Sequence, residues 1–367
     1  MKCLSRDKIG LAKGNIVHDS HAEILAIRAF NRWIVDECHD LAGGIGESEW
    51  LTWRRSRQAK GREAGRDEKC ENAGPPFAIK DGVSIHLYIS EAPCGDSSME
   101  LVMRGQADAT PWASRPPSDP PPSDGVASNN HPSAAMLGRG HFDQLGIVRR
   151  KPSRPDAPVT TSKSCTDKLA LKQCTGLLSG LTSRLVHPGN TYLSSLVLPS
   201  SQVVPEALDR AFGATGRMQL VTEPSVRGEW HRAGYAFRPF EVRGTSIEWE
   251  YSKRVLGEDA VPSNLSAVDT GEAQEILING ALQGRKQGDP RGASLVSRRK
   301  MWESVKEVLD TVGEGETLAG RTYAEVKMNE ALSRRERVKA DVRTLALNGW
   351  VRGEGDEQWT LHGDDGQ

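Results

Sequence analysis

His21-Ala22-Glu23 opens the run Ile24-Leu25-Ala26-Ile27-Arg28-Ala29-Phe30-Asn31-Arg32-Trp33-Ile34-Val35, whose apolar residues recur with the period of a helix buried on more than one side. The spacing predicts a helix over 19 to about 38, with Asp19 or Ser20 as its cap. His21 and Glu23 then fall in the first turn, where free N–H groups and the helix dipole favour anionic chemistry. Further on, Val83-Ser84-Ile85-His86-Leu87-Tyr88-Ile89-Ser90 alternates in the manner of a core strand and runs into Pro93-Cys94-Gly95-Asp96. Ser164-Cys165-Thr166-Asp167-Lys168 begins a second helical pattern that reaches about residue 185, and a strand is expected over 192–198. Strand, cysteine-bearing helix and strand again predict an α/β layered fold.

One imidazole, His21, and two thiols, Cys94 and Cys165, make three zinc ligands. Three protein ligands leave the fourth position of a tetrahedral ion to water, which separates catalytic from structural zinc sites. Glu23, two residues after the histidine, is expected to move protons instead of binding metal. His-x-Glu or Pro-Cys alone is common and more often structural. Together, each at the start of a helix or the end of a strand, they match the zinc-dependent nucleobase deaminases, in which the metal activates a water to attack the amine-bearing ring carbon. The generic signature of that group closes with Pro-Cys-x-x-Cys. Here the second cysteine follows the first by 71 residues.

That long separation, with His21-Ala22-Glu23, Pro93-Cys94-Gly95-Asp96 and Ser164-Cys165-Thr166-Asp167-Lys168, resembles the family of adenosine deaminases acting on RNA, and most of all its fungal transfer-RNA branch. The resemblance covers most of the chain and is strongest over 18–172. It implies a cytidine-deaminase-like three-layer core, a central mixed sheet with helices on both faces, extended by a C-terminal α+β half. It implies hydrolytic deamination of adenosine to inosine in tRNA, at the adenosine 3′ of the anticodon in alanine tRNA, with one zinc ion.

The resemblance also implies an inositol hexakisphosphate buried in the C-terminal half. The positions matching its contacts are Arg28, Lys168, Tyr323, Lys327 and Trp350, with Lys172 beside Leu171 and Trp302 beside Arg298, Arg299 and Lys300 as further candidates. Such a ligand needs converging cations, since its charge cannot be buried unpaired. Asp19 and Lys151 resemble a relay that links a zinc-bound thiolate to Lys168 and the polyphosphate. Family chains have several dozen residues before the segment that Lys2-Cys3-Leu4 resembles, so a start at an internal methionine or a shortened copy is expected.

Composition sets the remaining limits. The chain has 367 residues and a formal net charge of -1, so any RNA surface must be local. Arg139, Arg149, Arg150 and Arg154, around Lys151, form a basic stretch placed to line the mouth of the site. Trp53-Arg54-Arg55-Ser56-Arg57 and Lys60-Gly61-Arg62 add a second. Apolar content of 37% leaves segments outside the core. Ten of the 20 prolines lie between 111 and 158, so about 105–135 is expected to be a flexible loop and about 40–76 a surface excursion.

One domain over 1–367 is therefore expected, with a zinc-binding core at about 10–200, a C-terminal half at about 201–352 and a frayed tail over 353–367. Strands are expected at 247–251 and 275–280, and helices at 294–310 and 322–348. Six scattered cysteines and no apolar run of membrane length fit an intracellular protein; a monomer without an obligate protein partner is also expected. Two other readings compete: adenosine editing in double-stranded RNA, and a catalytically silent RNA-binding subunit. The first lacks spare length for a separate double-stranded-RNA module; Glu23 argues against the second.

Overall fold

The run after His21 forms α1 (Ala22–Gly43), which buries Leu25, Ile34, Val35, Cys38 and Leu41, as its broad apolar face requires. A computed structural model describes residues 3–54, 74–105, 136–138, 142, 144–151, 157–261, 263–318 and 322–361. The expected loop from residue 106 to 135, and residues 55–73 of the excursion at 40–76, lie outside the described residues. After α1 come β1 (Leu51–Trp53), β2 (Phe77–Ile79), β3 (Ile85–Tyr88), α2 (Met99–Arg104), β4 (Met136–Leu137), β5 (Arg149–Arg150), α3 (Cys165–Thr175) and β6 (Leu193–Pro199). The chain continues through α4 (Pro205–Phe212), α5 (Pro224–Arg232), β7 (Glu241–Thr245), α6 (Lys253–Leu256), β8 (Leu265–Asp269), β9 (Gln274–Ile278) and β10 (Ala281–Leu282). It closes with α7 (Arg298–Thr311), α8 (Tyr323–Lys327) and α9 (Ser333–Leu345).

The fold is mixed α/β with several sheets. β3, β6 and β7 form a parallel sheet in that order. Leu196 and Leu198 of β6 share a core with Leu169 and Cys174 of α3, Leu208 and Phe212 of α4, and Val338 and Val342 of α9. A second core joins Ile34 and Val35 of α1 to Trp302, Val305 and Leu309 of α7, Val326 of α8 and Trp359. β8, β9 and β10 make an antiparallel meander whose Val268 and Leu277 pack on Leu25 and Ala29 of α1. Thus α1 is a wall shared by the second core and the meander. No helix among the described residues is long and apolar enough to cross a membrane.

Several sequence expectations are corrected. The strand expected at 247–251 is absent. β7 lies earlier, because a strand exists where it has a partner: Thr245 pairs with Pro199 at the end of β6, and Ile247, Trp249 and Tyr251 beyond it are exposed. The helix expected to reach about 185 stops at Thr175. Gly176 follows at φ 65°, where a Cβ would meet Thr191 Oγ1 at 2.3 Å. The helix expected over 322–348 is broken at Asn329, whose Oδ1 accepts the Ala331 N–H at 3.0 Å and starts a new turn. The tail is not frayed over 353–361: Asp356 and Trp359 are buried.

Candidate active site and metal centre

His21 is the N-cap of α1, one residue before the first turn, and its backbone N–H donates to Asp19 Oδ1 at 3.1 Å. Neither Asp19 nor Ser20 is the cap, as had been expected; Asp19 instead orients the histidine. Glu23 does lie in the first turn, and it is buried.

Cys94 follows the C-terminal end of β3, and Cys165 opens α3 behind its cap Ser164, whose Oγ accepts the Asp167 N–H at 3.1 Å. The two segments are stitched together. Thr166 donates its N–H to Cys94 O at 3.1 Å and its hydroxyl to Pro93 O at 3.0 Å, and the Cys165 N–H reaches Cys94 Sγ at 3.4 Å. Gly95 allows this approach: its φ is 115°, and a Cβ there would stand 2.3 Å from Ser164 Oγ. Asp167 is fully buried and accepts from Arg217 at 2.7 Å and from the Arg149 N–H at 2.9 Å, which anchors the start of α3.

The result is convergence. Cys94 Sγ lies 3.7 Å and Cys165 Sγ 3.6 Å from His21 Nδ1, and the three donor atoms fall within 4.8 Å of one another. A tetrahedral zinc with N and S ligands at about 2.0 and 2.3 Å spaces them by about 3.6 Å, so the donor set fits that ion. Burial works against charging His21, yet hydrogen bonds with the Cys3 and Cys94 sulfurs raise its pKa to about 10. The sulfurs thus call for positive charge at the point where a divalent cation would supply it. Burial, then the charge of Cys94, raises the pKa of Glu23, which suits a carboxyl that must both take and give a proton.

Behind the ligands, Lys151 Nζ donates to Asp19 Oδ2 at 2.8 Å and to Cys165 Sγ at 3.2 Å. Lys168 makes a short contact with the same Asp19 oxygen, and Ser162 Oγ donates to it at 2.9 Å. Burial alone would raise the Asp19 pKa, but Lys168 and Lys151 hold the carboxyl well below the usual range. Asp19, Lys151, Lys168 and Cys165, singled out from sequence, are therefore one connected group.

A second cluster lies deeper. Burial, followed by the charges of Arg335, Lys339, Lys327 and Arg28, depresses Lys172 well below the lysine range. Lys172 and Arg28 are each half-buried. Lys172 donates to the Leu177 and Leu178 carbonyls at 2.8 Å, Arg335 to Leu178 O at 2.6 Å and Arg28 to Val296 O at 2.7 Å. Glu336 is shared by Lys339 at 2.5 Å and Lys327 at 3.8 Å. Trp302 is buried and its Nε1–H has no partner among the described residues; Tyr323 lies 5.8 Å from the Trp302 ring and carries Arg298 over its own ring at 5.7 Å. Trp350 carries Lys163 and Arg343 over its ring at 5.1 and 5.4 Å. Cations outnumber carboxylates here, and an indole donor is left over; both features fit a buried polyanion.

Arg335, Lys339, Arg343 and Lys163 were missed in the sequence. The first three had a readable signal: spaced by four, they share one face of α9. The expected basic mouth is corrected in part. Arg149 and Arg150 are buried, and the Arg149 guanidinium donates to Gly138 O at 3.3 Å and Gln144 O at 2.6 Å, tying down its own loop. Arg139 and Arg154 lie outside the described residues. So does the second basic stretch from Arg55 onward; Trp53 packs on Phe77, and Arg54 donates to Pro75 O at 3.0 Å.

Residues 1–354 match the adenosine-deaminase (editase) domain. The tRNA-specific adenosine deaminase 1 of Schizosaccharomyces pombe is 32% identical over 351 residues, which cover 94% of this chain and 79% of that protein. Its Saccharomyces cerevisiae counterpart is 25% identical over 361 residues, 96% and 78% of the two chains. The double-stranded RNA-specific editase Adar of Drosophila melanogaster is 24% identical over 238 residues, 62% of this chain and 29% of that one.

Proposed function

Since this chain belongs to the adenosine-deaminase (editase) domain family, we propose that it converts adenosine to inosine in transfer RNA by zinc-dependent hydrolysis. The observation that carries the proposal is the meeting of His21 Nδ1, Cys94 Sγ and Cys165 Sγ beside buried Glu23. The preference for tRNA rests on relatives of that specificity matching nearly the whole chain, whereas the double-stranded-RNA editase matches a smaller part.

His21, Cys94 and Cys165 would hold the zinc ion. When bound, zinc lowers the pKa of water toward about 7 and so supplies a nucleophile at neutral pH. Glu23 accepts a proton from the attacking water and delivers it to the purine ring nitrogen. It then assists departure of the amine as ammonia, so that a C–O bond replaces the C–N bond. Its raised pKa is what such a two-way carrier requires. Asp19 and Lys151 keep Cys165 oriented and its charge balanced from behind. The target base must be flipped out or already unpaired, which an anticodon loop offers.

We extend the reading in four ways. The cluster of Arg28, Lys168, Lys172, Lys327, Arg335 and Lys339, with Trp302, Tyr323 and Trp350, would bind inositol hexakisphosphate. β3 and β6 with α1 and α3 belong to a cytidine-deaminase-like three-layer core at about 10–200, completed by a C-terminal half at about 201–352 that contributes β7 to the sheet. Arg139 and Arg154 would meet RNA phosphate. The enzyme acts inside the cell, on the adenosine 3′ of the anticodon in alanine tRNA.

The test is incubation of the purified chain with alanine tRNA and, separately, with long duplex RNA, reading inosine by sequencing. Inosine beside the anticodon, and little in duplex, is expected. Inosine in duplex RNA alone would replace tRNA by the editing substrate. A zinc-loaded protein that produces none in either would contradict the proposal.

A further inference from the structure

His21 turns Nδ1 toward both ligand sulfurs, which leaves Nε2 as the ring's other hydrogen-bonding atom. A histidine bound to metal usually donates that second N–H to a carboxylate, a carbonyl or water, and the partner fixes both tautomer and ring angle. Cys3 stands there. It is buried, its backbone pairs with Asp19 in an isolated bridge, and Leu4 N–H donates to His18 O at 2.9 Å, so the segment is fastened alongside 18–21. The Cys3 sulfur, the Asp19 carboxylate and the His21 ring offer atoms within 4.8 Å of one another, and the Cys3 thiol donates to Asp19 Oδ1 at 3.5 Å.

We propose that Cys3 is a positioning residue for His21: its sulfur accepts the imidazole Nε2–H while its thiol donates to Asp19, which keeps Nδ1 as the metal-facing atom. Asp19 then serves two ligands at once. Its Oδ1 takes the His21 backbone N–H and the Cys3 thiol, and its Oδ2 takes Lys151, which donates to Cys165. Asp19 thus connects His21, through its backbone and Cys3, to Cys165, through Lys151, so one carboxylate would hold two of the residues that bind the metal in place. This inference rests on the zinc reading above and adds that the third sulfur near His21 is not a ligand.

The experiment uses the full chain loaded with cobalt(II) in place of zinc, comparing wild type with Cys3→Ser and Cys3→Val. It measures thiolate-to-cobalt charge transfer and competition with a chelator. Cys3→Val, close in size but without polar atoms, should lower metal affinity about 10–100-fold while keeping the wild-type charge-transfer intensity of two thiolates. Cys3→Ser, which still accepts and donates, should recover most of that affinity. Wild-type affinity in Cys3→Val would reduce Cys3 to a packing residue. A charge-transfer loss of about a third in Cys3→Ser would make it a ligand; either overturns the inference, and the serine spectrum decides alone if the valine chain misfolds. Wild-type protein that binds no cobalt would instead remove the zinc reading beneath it.

Discussion

Trp359 stacks on Tyr323 with ring centroids 4.9 Å apart and planes 10° from parallel. Arg299 lies over the other aromatic system of the pair at 4.8 Å from the Trp359 ring, and Trp302 meets that ring at 5.3 Å. Three residues earlier, Asp356 accepts the Gly14 N–H at 2.8 Å and pairs with Arg298 at 3.0 Å and His18 at 2.8 Å. The end of the described chain thus locks the approach to His21 onto α7 and α8, which carry the polyanion candidates Trp302 and Tyr323.

Trp359→Ala should therefore destabilise the protein by about 3–5 kcal/mol, the range for losing a large buried aromatic. Urea unfolding followed by circular dichroism measures it. A loss below about 1 kcal/mol would mean that the tail is an ornament of the fold, not part of its core.

Inositol hexakisphosphate should raise the melting temperature, and its affinity should fall with rising pH. Burial and then neighbouring cations bring Lys339 and Lys163 to about 7. A bound polyanion favours their charged forms, so above pH 7 binding must draw protons from solution. Calorimetry at pH 8 in buffers of different ionisation heat should record proton uptake. Affinity that rises with pH would contradict this placement of the ligand.

The parts of the site legible in the sequence are those where chemistry restricts the residue. Zinc takes few ligand types, so His21, Cys94 and Cys165 could be picked out before their geometry was known, and Lys151 followed from family likeness. What was not legible depended on partners. Glu241-Val242-Arg243-Gly244-Thr245 has no strand-like apolar alternation; it is a strand because β6 offers it hydrogen bonds. Asp356 and Trp359 sit in a polar, glycine-rich tail whose burial is decided by Gly14, His18 and Tyr323, hundreds of residues away in two of the three cases. Arg149 read as an RNA contact because charge runs are usually exposed, and here it is enclosed.

Lys151→Met should weaken zinc retention about 10–100-fold by removing the donor to Cys165, while Asp19→Asn should also cost several kcal/mol of stability. The asymmetry arises because Asp19 neutralises two lysines, one of them fully enclosed. Chelator competition and denaturant unfolding separate the two effects. Equal zinc retention in wild type and Lys151→Met would contradict the relay.

His18 provides a pH signature away from the ligands. Burial, then the charge of Arg298, lowers its pKa from 6.5 to about 4 despite the Asp356 contact. The unfolded chain binds this proton first as pH falls, so stability is lost between about pH 6.5 and 4 and no further below, by roughly 3 kcal/mol in all. His18→Gln should flatten that part of the stability profile. An unchanged slope between pH 6.5 and 4 would assign it to other groups.

The most direct measurement is a paired determination on Glu23→Gln: zinc per chain by elemental analysis and inosine formation in alanine tRNA. The expected result is one zinc per chain, as in wild type, with inosine formation lowered at least about 100-fold. Zinc-loaded Glu23→Gln protein that forms inosine at the wild-type rate would show that another group carries the proton and that the site has been misread.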